Sequence, residues 1–294
     1  MINYSIIIPH YNTPNLLQRC LNSIPRREDI QIIVVDDNSD SLKVDFDHFP
    51  GMGEKGVEVY FTKEGKGAGY ARNVGLQYAR GKWLLFADAD DYYFSGAFDV
   101  LDKELTEDLD ILYFNVDSTI KSNASRASFI SEKYEKYFIC GDDLNVRFNI
   151  WTPWNKVFSH EMVKRKKLQF DEIPIGNDAF FALSASKYAK RYKIINNKLY
   201  CLEDNDGSIT YTKIDYKRAM NYIKATIRIN SFYTDNKHLY KFSHPAVMPH
   251  VIKGLYKDAG LKGLYDYCMY IHRNWSVLEA IKVTLYKLII KLKG

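Results

Sequence analysis

Four short apolar runs in the first 90 residues, alternating with helical patterns, constrain this chain more than any other feature. YSIII (residues 4–8) and QIIVV (31–35) are continuous apolar stretches of strand length, as expected of strands buried on both faces. VEVYF (57–61) and KWLLFA (82–87) repeat the pattern. Between the first two, LLQRCLNSI places apolar residues at 16, 17, 20, 21 and 24, which is helical spacing. Thr13 is predicted to cap that helix and Pro14 to occupy its first turn. GYARNVGLQYA (69–79) predicts a second helix. Such alternation predicts an α/β fold, a parallel sheet covered by helices. With 294 residues, 46% of them hydrophobic, the chain can bury a substantial core.

In open sheets of this kind ligands bind beyond the carboxyl ends of the strands. Here the strands run out into PHYN (9–12), DDNSD (36–40) and DADD (88–91), and the loop before the second helix carries GKGAGYARN (65–73). These polar residues are predicted to gather at one crevice. DADD sets Asp88, Asp90 and Asp91 within four positions. Crowded carboxylates repel unless a cation lies between them, and hard oxygen ligands select Mg²⁺ or Mn²⁺, completed by substrate phosphate. On extended backbone Asp88 and Asp90 point one way and Asp91 the other. Taken alone, DADD reads equally as a solvated acidic turn.

The four blocks in this order resemble the family 2 glycosyltransferases, the inverting enzymes of the GT-A fold. Downstream, PWNKVF (153–158), LQFDEIPIGNDAFF (168–181) and DGSIT (206–210) are similar to later segments of that family, so the resemblance covers about residues 4–210. It implies a Rossmann-like mixed, mainly parallel sheet flanked by helices. A catalytic domain would span 1–211, with a nucleotide-sugar-binding half (1–115) and an acceptor-binding half (116–211). A helical, basic C-terminal region would follow over 212–294.

The resemblance also implies roles. Pro9, Tyr11, Asn12, Asp37, Arg72, Asn73, Asp88, Ala89 and Asp91 would form the nucleotide-sugar site. Tyr11 would stack on the base, Asp37 bond its edge, and Arg72 and Asn73 hold the nucleotide sugar. Asp88 would meet ribose or sugar hydroxyls, Asp91 assist at the donor, and Asp90 bind the metal. Asp178 would be the general base; the family's acidic pair reads Asn177-Asp178 here, so only Asp178 of the two can ionise. Glu172 is a second candidate, and an N-cap of the helix DAFFALSASKYA is the other reading of Asp178. Trp154, Asn155 and Asn177 would line the acceptor site, unless Trp154 is a buried structural residue.

The implied activity is metal-dependent inverting transfer from a nucleotide-sugar, a UDP-sugar, to a glycan acceptor, lipid-linked, in bacterial capsule, O-antigen or exopolysaccharide synthesis. One sugar per encounter is expected, because the Q-x-x-R-W motif of processive relatives is absent and HRNW (272–275) is a partial echo. The departure at Asn177 motivates an alternative, a non-catalytic sugar-nucleotide or glycan-binding protein. A nucleotidyltransferase is a further one, but the glycine-rich basic loop it needs near the first strand is missing.

The net charge of +5 hides an asymmetry: residues 212–294 hold 15 Lys/Arg and 5 Asp/Glu, leaving 26 and 31 in residues 1–211. VLEAIKVTLYKLIIKLKG (277–294) is a basic amphipathic pattern. It suits either an anionic membrane surface or packing on the catalytic domain. The N-terminus lacks signal-peptide features and no apolar run approaches the ~18 residues of a membrane span, so a cytoplasmic protein, peripheral on the inner face of the plasma membrane, is expected. Cys20, Cys140, Cys201 and Cys268 are too scattered for zinc or a disulfide framework. GKGAGY does not fit G-x-G-x-x-G, and no nucleic-acid-binding motif accompanies the basic tail. Residues 213–235, 241–258 and 261–273 read as helical, with His244 and His250 structural rather than ligating. The transferred sugar and the oligomeric state are not encoded in any motif.

Overall fold

The computed structural model describes residues 1–119, 126–203, 215–243, 249–276 and 281, with backbone alone at 249 and 250. It divides into two units: Met1–Glu172 with Phe181–Asp204, and Ile173–Phe180 with Asn205–Gly294. The segments 206–210, 277–280 and 282–294, His244 and the side chain of His250 lie outside the described residues.

The first unit is built on one sheet of eight strands: β1 (Tyr4–His10), β2 (Ile30–Asp37), β3 (Val57–Thr62), β4 (Trp83–Phe86), β5 (Tyr92–Tyr93), β6 (Ile111–Ser118), β7 (Lys156–Ser159) and β8 (Tyr192–Leu202). Their order is β3-β2-β1-β4-β7-β6-β8-β5. The four predicted strands are β1 to β4, all parallel. β7 runs antiparallel between β4 and β6, β8 lies parallel to β6, and β5 is antiparallel on β8. The sheet is therefore mixed and mainly parallel. Every residue of β1 and β2 is buried, which is what their unbroken apolar runs demand.

The helices are α1 (Pro14–Asn22), α2 (Ala68–Tyr78), α3 (Ala97–Glu104), α4 (Arg126–Cys140), α5 (Asp143–Phe148), α6 (His160–Arg165) and α7 (Ala179–Tyr188). α1 starts as predicted with Pro14 in its first turn. Thr13 makes no side-chain cap; its backbone N–H donates instead to His10 Nε2 at 3.1 Å, so that expectation is corrected. Two glycines set how closely the chain packs on β1. A Cβ on Gly75 of α2 would lie 2.5 Å from Ile7 Cγ2, and one on Gly81 would lie 2.5 Å from the backbone nitrogen of Ser5. Gly81 also donates its N–H to Ser5 Oγ at 2.8 Å, which locks the start of β4 against β1.

The second unit is helical, as predicted for the C-terminal region. α8 (Tyr216–Asp235) is capped by Asp215, whose side chain accepts the Arg218 N–H at 2.7 Å. A 3₁₀ turn (Lys237–Phe242) follows, then α9 (Pro249–Asn274), broken at Gly260 with φ 58 and ψ −148. The helices predicted over 241–258 and 261–273 are the two halves of α9, the first beginning later than expected. Ala219, Ile223 and Ile227 of α8 pack with Val251, Leu255, Tyr267, Ile271 and Trp275. Among the described residues no helix is long and apolar enough to cross a membrane.

The rigid backbone neighbours of Gly81 give the first expected outcome. Gly81→Ala should destabilise the protein by about 1–3 kcal/mol through overpacking, read as a lower urea midpoint with an unchanged denaturant slope.

Candidate active site

β1 and β2 end side by side, and buried polar groups fix the loops that leave them. His10 Nδ1 and Asp36 Oδ2 lie 2.7 Å apart, both inaccessible to solvent. Because His10 Nε2 accepts from Thr13, Nδ1 carries the hydrogen and donates to Asp36. The Ser39 N–H and hydroxyl donate to the same carboxylate at 3.0 and 2.5 Å. Burial pushes the Asp36 carboxyl up, but the bonds from His10 and Ser39 outweigh it and hold the group below the usual carboxylate range. The first acid of DDNSD is thus a buried brace. Asn12 and Asn38 sit at φ 59 and 63, a region asparagine tolerates. The Asn12 N–H donates to Ser39 Oγ and its side-chain oxygen accepts the Asp40 N–H, both at 2.8 Å. Between these ties Tyr11 stands 60% exposed. Pro9 is buried in β1 opposite Val35, beyond the last β4 pair, where a missing N–H breaks no ladder bond.

Asp37 is 5% exposed and joins three elements. It accepts the Thr62 hydroxyl at 3.0 Å from the end of β3 and the N–H of Gly67, the residue preceding α2. One and a half turns into α2, Arg72 is nearly buried; its Nη2 donates to Asp88 Oδ1 at 2.5 Å, and its guanidinium lies 5.4 Å over Phe170. Asn73, the next residue of α2, bonds the 170–172 segment. Its amide nitrogen donates to Phe170 O at 2.9 Å and Glu172 Oε1 at 3.3 Å, and its oxygen accepts the Phe170 N–H at 2.8 Å. Both amide atoms are engaged in bracing the 170–172 segment.

The DADD segment is a turn, not an extended strand. The Asp91 N–H donates to Asp88 O at 3.1 Å, and β5 begins directly afterwards. The turn corrects the expectation that Asp91 faces away: one oxygen from each of Asp88, Asp90 and Asp91 lies within 4.8 Å of the others. Ala89, 7% exposed, is the buried corner. Burial first, and then the charge of Asp88, push Asp90 up to about 6. Asp91, buried more deeply and facing both other acids, is likewise raised well above the usual carboxylate range. An all-oxygen donor set whose members are desolvated and repel one another fits a hard divalent cation such as Mg²⁺ or Mn²⁺.

Residues that no motif singled out hold this turn. The Asp88 N–H donates to Tyr200 Oη at 2.8 Å, and the Glu203 N–H to Asp91 Oδ1 at 2.9 Å. Arg19 of α1 donates to Asp90 O and to Glu203 Oε2, each at 2.5 Å. Trp154 and Asn155 were expected at the acceptor, but they are 1% and 0% exposed because they lead straight into β7, a central strand. Trp154 stacks on Tyr200 with centroids 5.5 Å apart. Asn155 bonds Tyr134, Thr152 and Lys156. Neither presents a surface to a ligand, so both readings are corrected to support from beneath. Lys156, wholly buried, satisfies its ammonium with Ile150 O, Thr152 O and Asn155 Oδ1 at 2.6–3.0 Å. Asn177 and Asp178 belong to the second unit, half-buried; Asp178 directly precedes α7, the position of a cap.

Known proteins resemble this chain in sequence and in fold. The model of the family described as Glycosyl transferase family 2 matches residues 5–170, more than half of the chain. EpsJ of Bacillus subtilis strain 168, an uncharacterized glycosyltransferase, is 31% identical over 230 residues, 74% of this chain and 65% of that protein. GlyA, a glycosyltransferase of Streptococcus pneumoniae serotype 4, is 26% identical over 70% of this chain and 31% of its own length. The chain thus spans about a third to two thirds of the length of these relatives. Residues 1–349 of Staphylococcus aureus TarS, solved with UDP-GlcNAc, are similar in structure with a TM-score of 0.67 at 18% identity, over 90% of this chain and 80% of that one. The mannosyltransferase PcManGT of Pyrobaculum calidifontis, solved with GDP-Man and Mn²⁺, gives 0.55 at 14% identity, over 99% and 80%. The likeness establishes the fold, which is the expected GT-A arrangement.

The Asp36 brace gives a signed expectation. A carboxyl whose folded pKa is depressed adds stability that is complete above its unfolded value, about 4, and is lost as the pH falls through the folded value. Asp36→Asn should therefore destabilise the protein by about 1–3 kcal/mol at pH 7, with the gap between variant and parent melting temperatures narrowing below about pH 4.

Proposed function

The chain belongs to glycosyl transferase family 2, and from that premise we propose that it is an inverting, metal-dependent glycosyltransferase. Its donor is a UDP-sugar and its acceptor a lipid-linked glycan in the synthesis of a bacterial surface polysaccharide such as a capsule. The observation that carries this reading is the convergence of Asp88, Asp90 and Asp91 within 4.8 Å at the strand ends that also carry Asp37 and the exposed Tyr11. Binding of UDP-GlcNAc by TarS supports the choice of uridine donor. In this reading the catalytic part is residues 1–211, its acceptor-binding half is 116–211, and 277–294 meets the inner face of the plasma membrane.

Tyr11 stacks on the base and Asp37, steadied by Thr62 and Gly67, takes its edge. Arg72 aims Asp88 at the ribose or sugar hydroxyls. Asp90, with Asp91 beside it, would hold a divalent cation, and the bound ion would supply positive charge against the diphosphate leaving group. The acceptor hydroxyl oxygen attacks the anomeric carbon opposite the diphosphate. That carbon–oxygen bond forms as the bond to the diphosphate breaks, UDP leaves with the electron pair, and Asp178 takes the hydroxyl proton, inverting the configuration. Asn177 contributes hydrogen bonds to the acceptor.

The test is UDP release from a panel of UDP-, GDP- and dTDP-sugars. Release from one UDP-sugar should disappear with EDTA and return with excess Mn²⁺ or Mg²⁺, and Asp90→Ala should abolish it. Asp178→Asn should lower kcat about 10²–10⁴-fold with donor affinity retained. The substitution of the usual acid by Asn177 favours one rival, a sugar-nucleotide-binding protein without turnover. A wild type that binds donor tightly but never releases UDP to any acceptor would establish that rival instead.

A further inference from the structure

α9 turns two unlike faces to its surroundings. Val251, Leu255, Tyr267, Ile271 and Trp275 are buried with α8. On its outer side Tyr256, Leu261 and Tyr265 are 56%, 76% and 64% exposed, and Cys268 is exposed with them. At 3.6 residues per turn Leu261, Tyr265, Cys268 and His272 fall on one stripe beyond Gly260. Lys253, Lys257, Lys262 and Arg273 are exposed around these residues.

The acids of α9 are used differently from its bases. Asp258 accepts the backbone N–H of Tyr216 at 2.9 Å, and Asp266 accepts the Tyr216 hydroxyl at 3.0 Å. Both carboxylates are thereby tied to the first turn of α8. Among the described residues, none of the four exposed cations of α9 forms an ion pair. Before Gly260 the outer side carries Lys253 and Lys257 with Tyr256; beyond it Leu261 and Tyr265 run beside Lys262 and Arg273.

We infer that the outer face of α9 is a docking surface for an anionic phospholipid bilayer. Its leucine and tyrosines suit the headgroup boundary, and its lysines and arginine suit the phosphate layer. The charge pattern selects this occupant over a second copy of the chain, since pairing two such faces would bring eight cations together. The surface is distinct from residues 277–294 and does not rest on the proposed transfer reaction, because the assay below reads binding alone.

The full chain should sediment with vesicles containing phosphatidylglycerol at low salt. It should stay in solution with pure phosphatidylcholine and be released at high salt. With Lys253→Gln, Lys257→Gln, Lys262→Gln and Arg273→Gln combined in the full chain, affinity should fall about tenfold or more. The matching set, three Lys→Arg changes with Arg273→Lys, should bind as the parent does; circular dichroism and the melting temperature establish that both sets fold. A polarity-sensitive dye on Cys268, with Cys140→Ser to leave one exposed thiol, should shift to the blue on adding the anionic vesicles. The inference is overturned if the parent chain ignores anionic vesicles or the glutamine set binds undiminished with an unshifted dye. It is equally overturned if Leu261→Ser with Tyr265→Ser abolishes a dimer formed without lipid.

Discussion

Three carboxylates confined to a few ångströms resist one another, and much of the first unit is arranged to keep them there. Two charges about 4 Å apart repel by about 4 kcal/mol in surroundings typical of a protein surface, before burial is counted. The opposing contacts come from every side of the sheet. α2 sends the Arg72 guanidinium to Asp88, β8 supplies the Tyr200 hydroxyl and the Glu203 N–H, and α1 supplies Arg19 to the Asp90 carbonyl. Removing any one leaves the backbone of the turn less restrained while the repulsion stays. A divalent cation would reverse the sign of the problem, turning the crowding into a binding site.

The parts legible in the sequence were those with a period or a fixed place in a strand. Unbroken apolar runs mark β1 and β2, and the rule that ligands gather at the carboxyl ends of parallel strands brings Tyr11, Asp37, Arg72 and Asp88 together from the sequence alone. Contacts between distant segments were not legible. Nothing distinguishes Tyr200 among 23 tyrosines, and Arg19 reads as an ordinary basic residue of an amphipathic helix. The same blindness misplaced Trp154 and Asn155: a motif gives their identity, whereas the central position of β7, which buries them, is a property of the sheet order. Asp91 was misjudged for a local reason, since a turn and an extended strand send alternate side chains in different directions.

The two units divide the chemistry by charge. The first gathers acids at its strand ends and braces them with buried polar groups. The second ties Asp258 and Asp266 to Tyr216 and exposes bases along α9. The break at Gly260 falls where no side chain would crowd a left-handed residue, so the helix changes course there at little steric cost.

Tyr200 and Asp88 are separated by 112 positions in the chain, and β5, only two residues long, finds its partner in β8. That distance governs the order in which the protein is made. By the time residue 172 has left the ribosome all three acids of the turn are outside, but the strand that binds them, β8, has yet to emerge. Closing so distant a contact is entropically expensive and slow, so the turn is among the last parts of the sheet to take its final form. A nascent chain of this protein carries this self-repelling segment without its Tyr200 contact while the 112 positions from Asp88 to Tyr200 emerge.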